Sequence, residues 1–256
     1  MTTDTDFRWS SAARTDPGLV RARNEDACLE QPQHALWVVA DGMGGHALGD
    51  FASRAVVEGL RGLAPGDALP ARLAAARSRL QAVNRQLCDE ALARGAQIIG
   101  STVVVLLARK RSCCYLWAGD SRIYLYREQR LIQLTRDHSQ YAEYVAVHGS
   151  EPGDGARYPP RNLITRAVGA AADLVPDDGT LEVNDGDMFL LCSDGLSNEV
   201  DDQDIGAVLD CGDCGVAADA LVDMALRHGG RDNVTVIVVR ADDAPGEETT
   251  VLNPAL

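Results

Sequence analysis

The chain has 256 residues, with 24 Lys plus Arg against 38 Asp plus Glu, a formal net charge of −14 and 46% hydrophobic residues. Its length suits one large domain or at most two small ones, and its composition excludes a wholly disordered chain or a periodic fibre. The acidity argues against nucleic-acid binding through phosphates and against an anionic membrane surface, and it suits a site that gathers cations.

The opening Met1 to Arg8 has no basic region followed by an apolar one, so no signal peptide is expected. No apolar run approaches the ~20 residues of a membrane helix. Seven Cys, an odd number in a chain able to build its own core, read as reduced thiols in a cytoplasm.

Residues 1 to about 16 read as a polar lead-in. Leu36 to Ala40 is a buried strand ending at Asp41-Gly42. Phe51 to Leu63 has helical spacing, the segment from Ala64 breaks it, and Leu69 to Ala93 is a second long helix rich in helix formers. Three strands follow, at Thr102 to Ala108, Cys113 to Ala118 and Arg122 to Tyr126, forming an antiparallel meander. From Asp137 to about Pro176 the pattern loosens around a short helical stretch, Gln140 to His148, and a segment of that length is usually functional. Strands are predicted at Asp187 to Cys192 and Val234 to Arg240, with helices at Asp202 to Leu209 and Val216 to Arg227 between them. Asp242 to Leu256 reads as an acidic flexible tail. Two sheets packed face to face with helices outside would bury these faces, an α+β arrangement among others that pattern alone allows.

The chemistry lies where carboxylates meet strand ends. Asp41-Gly42, Asp120-Ser121 and Asp194-Gly195 each follow an apolar run, Asp232-Asn233 precedes one, and Asp26 closes Asn24-Glu25-Asp26 before another. A lone Asp-Gly pair is usually a turn. Five carboxylates brought to one rim would repel by roughly 4 kcal/mol per close pair, so such a cluster calls for cations. Oxygen ligands without His or Cys select Mg2+ or Mn2+ over Zn2+.

Six segments, Arg21-Ala-Arg-Asn-Glu-Asp26, Asp41-Gly-Met-Gly-Gly-His46, Gly100-Ser-Thr102, Gly119-Asp-Ser-Arg122, Ser193-Asp-Gly-Leu196 and Gly230-Arg-Asp-Asn-Val234, occur in the order of the PP2C (PPM) serine/threonine protein phosphatases. The chain resembles their bacterial branch over nearly its whole length. The resemblance implies a four-layer α-β-β-α sandwich over 8–240, with a lead-in at 1–7, a flap at about 137–176 and a tail at 241–256. It implies a core site of two Mn2+ or Mg2+ ions. Asp41 would bridge them, the Gly42 carbonyl would bind one, and Asp194 and Asp232 would complete the other. Glu25 and Asp26 would act through metal-bound waters, and Asp120 with Asp194 would hold a third ion. Arg21 would grip the substrate phosphate through its fork of donors. Two ions ~3.5–4 Å apart can activate a bridging water as hydroxide for in-line displacement. The substrates implied are phosphoserine and phosphothreonine on proteins made by a partner kinase. The segment around Ala13-Arg-Thr-Asp16 also resembles phosphatases paired with kinases in type VI secretion control.

Met43 stands where the eukaryotic branch carries a proton-donating His, which leaves the general acid unassigned. His46 and His138 are available, though each also reads as structural, and a metal-bound water is a third source. Arg157, Arg161 and Arg166 in the flap could meet phosphoprotein surface or simply be solvated. Cys211-Gly-Asp-Cys214 lacks a second ligand pair and reads as inert. Glu247 to Val251, with Thr249 and Thr250, reads as an unstructured tail, or as a phosphoacceptor for a forkhead-associated partner. Three rivals remain: a phosphatase-like binding module, which predicts broken metal ligands; a stress-signalling relative, which predicts no Arg21 and a sensor domain; and a metal-dependent nuclease, which the charge opposes.

Overall fold

The computed structural model describes residues 7–44, 48–63, 68–149, 159–160 and 163–243. The strands are β1 (Phe7–Asp16), β2 (Asp26–Gln31), β3 (Leu36–Met43), β4 (Gly100–Ser101), β5 (Val103–Arg109), β6 (Ser112–Ala118), β7 (Arg122–Arg127), β8 (Arg130–Gln133), β9 (Asp177–Glu182), β10 (Met188–Cys192) and β11 (Val234–Asp243). The helices are α1 (Leu48–Arg61), α2 (Leu69–Arg94), α3 (Gln140–His148), α4 (Asp194–Ser197), α5 (Asp202–Leu209) and α6 (Cys214–Arg227). One antiparallel sheet runs in the order β1-β11-β10-β7-β8, the other in the order β2-β3-β5-β6-β9 with β4 paired to β3.

The central strands are apolar without alternation because both of their faces are buried. In β3, Trp37 and Val39 point between the sheets, while Leu36, Val38 and Ala40 point toward α1 and α2. In β10, Phe189 and Leu191 face inward, and Met188, Leu190 and Cys192 face α5 and α6. Three apolar layers result, one between the sheets and one under each helical layer. This is the four-layer α-β-β-α sandwich.

Local signals explain the helix ends. α2 opens on a proline in its first turn and closes on Gly95 in the left-handed region. α3, α5 and α6 are capped by the side chains of Ser139, Asp201 and Asp213.

The structure departs from the sequence reading at the N-terminus. Residues 7–16, expected within a polar lead-in, form β1, which pairs along its whole length with β11 from Phe7↔Asp243 to Asp16↔Val234. Only partial burial along this edge strand hides its pattern. β9 is likewise a strand outside the expected ones, its Asp-Asp-Gly start being poor in strand formers. Thr249, Thr250, His46, Arg157 and Arg161 lie outside the described residues.

Candidate active site

Antiparallel pairing places the end of β3 beside the start of β2 and the end of β10 beside the starts of β7 and β11, and the short turn after Ala118 joins the end of β6 in one sheet to the start of β7 in the other. All the expected carboxylates therefore come to one rim. Asp26 and Asp41 stand directly opposite each other in the β2–β3 ladder. Asp194 begins α4 just beyond β10, and Asp232 immediately precedes Asn233 and β11. Asp120 lies in the turn between β6 and β7.

A cavity of about 730 Å³ opens there, lined by Arg21, Glu25, Asp41, Gly42, Asp120, Asp194 and Asp232 among others. A second groove of about 1000 Å³ shares Asp120, Asp194 and Asp232 and continues along α3 and α4. Asp26 is buried and does not line the cavity; its Oδ2 accepts from Ser193 Oγ at 2.8 Å, and its buried Oδ1 has no hydrogen-bond partner.

Electrostatics agree with the geometry. Burial, reinforced by the charges of Asp194 and Asp232, pushes Asp26 up to about 7. Burial and then Asp194 and Asp137 push Asp120 up to about 7. Asp41 is raised well above the carboxylate range by burial and by Asp26, Asp194, Asp120 and Asp232, and Asp194 is raised by burial and Asp232. These groups resist ionising side by side. Among the described residues, no group of three or more His, Cys, Asp or Glu side chains is already drawn together to hold a metal ion. The carboxylates ring the cavity instead, and Arg21 Nη2 holds Asp232 Oδ2 at 2.6 Å. The donor set still fits hard divalent cations. It is all oxygen, its charges repel, and one buried oxygen lacks a partner.

Residues that the sequence reading quoted without a role build this rim. Asn233 is buried; its Oδ1 accepts from the Glu25 N–H at 2.8 Å, and its Nδ2 donates to the carbonyls of Pro17 at 2.9 Å and Arg23 at 2.8 Å. It ties the loop of Arg21 and Glu25 to the loop of Asp232. Thr102 Oγ1 accepts from the Asp41 N–H at 3.0 Å and shares a hydrogen bond with Ser121 Oγ at 2.7 Å. Ser193 Oγ, besides donating to Asp26, accepts from the Thr235 N–H at 3.0 Å. Gly195 is required by close approach: a Cβ there would stand 1.9 Å from the Asn233 carbonyl oxygen.

The remaining candidate side chains lie apart from the cavity. His138 does not line the cavity; its ring is buried and stacks on Trp117 with centroids 5.9 Å apart. Both ring nitrogens are engaged, Nδ1 with the Gly119 N–H and Nε2 with Asp177, so it is not placed as a proton donor. Arg166 is drawn to Asp177 at 2.8 Å. Cys211 is exposed and Cys214 buried, both as free thiols.

Fold and site together define a class. Residues 20–220 match the family described as protein phosphatase 2C. The chain belongs to the protein phosphatase 2C family, of the bacterial type, a family of serine/threonine protein phosphatases. It is 39% identical over 236 residues to the serine/threonine protein phosphatase PstP of Mycobacterium tuberculosis strain H37Rv, covering 91% of this chain and 45% of that protein. The chain thus spans about half the length of that curated relative. Among solved structures it resembles PppA, described as a key regulatory component of the T6SS in Pseudomonas aeruginosa. The TM-score is 0.85 at 43% identity, covering 91% of this chain and 97% of that one. It also resembles the catalytic domain of PstP in complex with two manganese ions, with a TM-score of 0.82 at 35% identity over 93% of this chain and 100% of that one. Among the described residues, no helix is long and apolar enough to cross a membrane.

Proposed function

We propose that the chain is a metal-dependent phosphatase that hydrolyses phosphoserine and phosphothreonine on proteins, through a catalytic domain over 8–240. The observation that carries this reading is the ring of mutually repelling carboxylates around one cavity with Arg21 at its mouth. Asp41, the Gly42 carbonyl, Asp194 and Asp232 would hold two Mn2+ or Mg2+ ions. Asp120 with Asp194 would hold a third, and Glu25 and Asp26 would act through water. Bound there, the ions would supply water activation and neutralise charge at phosphorus.

The chain's own groups do the rest. Arg21 is half exposed and reaches over the cavity to Asp232, so its guanidinium can exchange one carboxylate oxygen for phosphate oxygens and orient the ester. Asp194 and Asp232 are set by the Gly195–Asn233 approach, and Asp41 by Thr102. The groove along α3 and α4 leads out from the site and gives a phosphoprotein segment a path.

A partner Ser/Thr kinase, a cytoplasmic setting and a role in type VI secretion control fit this reading, the last supported by the likeness to PppA. A forkhead-associated reader of the tail would act on residues outside the described ones. The test is hydrolysis of a phosphothreonine peptide by the Arg21→Ala protein. KM should rise at least 10-fold, with Arg21→Lys recovering part of the loss because it restores charge without the fork. Unchanged KM in both variants would remove Arg21 from phosphate binding.

A further inference from the structure

The Gly119–Asp120 turn has a support that the proposed reaction does not use. Gly119 sits at φ +115°, and a Cβ there would stand 2.6 Å from Thr102 Cγ2, so the turn is both tight and restricted to glycine. Two hydrogen bonds join it to His138. The Gly119 N–H donates to Nδ1 at 3.2 Å, and the Gly119 carbonyl accepts from the His138 N–H at 2.9 Å.

A backbone N–H can only donate, so Nδ1 carries the lone pair and the proton sits on Nε2. Nε2 meets Asp177 Oδ2 at 3.1 Å, and Arg166 Nη1 donates to Oδ1 of the same carboxylate at 2.8 Å. The ring lies nearly flat on Trp117, with a 9° angle between planes. Burial holds the His138 pKa below its ordinary value, which keeps the ring neutral. The same residue grips the flap: its carbonyl accepts from the Thr165 N–H at 2.8 Å, two residues before the Gln140 N–H meets the Leu163 carbonyl at 2.9 Å. Val168 then pairs with Ser101, beside Thr102.

We infer that His138 is a positioning residue that couples the root of the flap, residues 163–168, to the Gly119–Asp120 turn and so holds the Asp120 carboxylate at the cavity rim. The inference rests on Asp120 being an ion ligand, and the experiment separates the two claims. Asn at 138 places an oxygen at the depth of Nδ1 and keeps an acceptor for Gly119. Gln places its amide at the depth of Nε2, keeping Asp177 and losing Gly119. Leu keeps neither.

In metal-free protein, nitrogen-15 NMR should show His138 as the Nε2–H tautomer. Amide exchange in His138→Leu should quicken together at residues 119–121 and 163–168. Calorimetric titration with Mn2+ should show affinity about 10-fold weaker in His138→Leu and His138→Gln, matching Asp120→Asn. His138→Asn should stay within ~3-fold of the parent. Should the Leu protein not fold, the Asn and Gln proteins carry the comparison. An Nδ1–H tautomer overturns the inference. So does unchanged Mn2+ affinity in the Gln and Leu proteins while Asp120→Asn weakens it. Unchanged affinity in Asp120→Asn removes the ligand reading itself, and the inference with it.

Discussion

Replacing Asn233 with Ala tests whether the site is assembled from two separate loops. The side chain is 6% exposed and makes three hydrogen bonds, to Glu25, Pro17 and Arg23. Each contributes ~1 kcal/mol, and the Glu25 N–H loses its partner outright, so the loss is roughly 3 kcal/mol. For a domain of this size that lowers the melting temperature by ~6–12 °C. Activity measured well below melting should still fall at least ~10-fold, as when groups supporting a metal ligand are removed. Asn233→Asp should rescue neither property, because its carboxylate would face the Pro17 and Arg23 carbonyls in place of the amide donor. Calorimetry with and without EDTA, beside phosphopeptide hydrolysis, reads both quantities. A melting temperature within 2 °C of the parent together with unchanged turnover would refute the reasoning, and so would full rescue by Asp.

Two further outcomes follow from buried polar groups elsewhere. Arg72 is 2% exposed and donates to the carbonyls of Ala108 at 2.9 Å and His34 at 2.6 Å, joining α2 to the end of β5 and to the turn just before β3. Arg72→Ala should cost ~3 kcal/mol in denaturant unfolding, with Arg72→Met recovering part through packing. His138 and Asp177 both have lowered pKa values, His138 through burial and Asp177 through His138 and Arg166 against the opposing effect of its own partial burial. The unfolded chain therefore takes up protons before the folded one does, and stability from this pair is present above pH ~6.5 and lost on acidification. The difference in melting temperature between the parent and His138→Asn should be largest near pH 8 and shrink toward pH 5. A difference that grows on acidification would contradict this.

Much of the framework was legible in the chain because the central strands are buried on both faces. Runs such as Val103 to Ala108 and Val234 to Val239 stand out whatever their partners. β1 was not legible for the opposite reason: its Arg, Ser and Thr residues lie at a sheet edge, and only pairing with β11, more than 200 residues away, makes them a strand. The carboxylates were readable from position, since Asp beside strand ends recurs along the sequence. Their supports were not. Ser193 meets Asp26 across 167 positions and Asn233 meets Glu25 across 208, separations that local pattern does not encode. His138 showed the same limit. Its residue type leaves both a structural and an acid role open, while its neighbours in space make it a strut between flap and turn.

The most direct test of the account is phosphate release from a phosphothreonine peptide by purified protein in Mn2+, in Mg2+ and in EDTA, beside Asp41→Asn and Asp194→Asn of verified fold. The account predicts turnover with either metal, none in EDTA, and loss in both variants by at least ~100-fold, since these ligands act only together. Release that persists in EDTA, or no release with any metal from the folded parent, would contradict it.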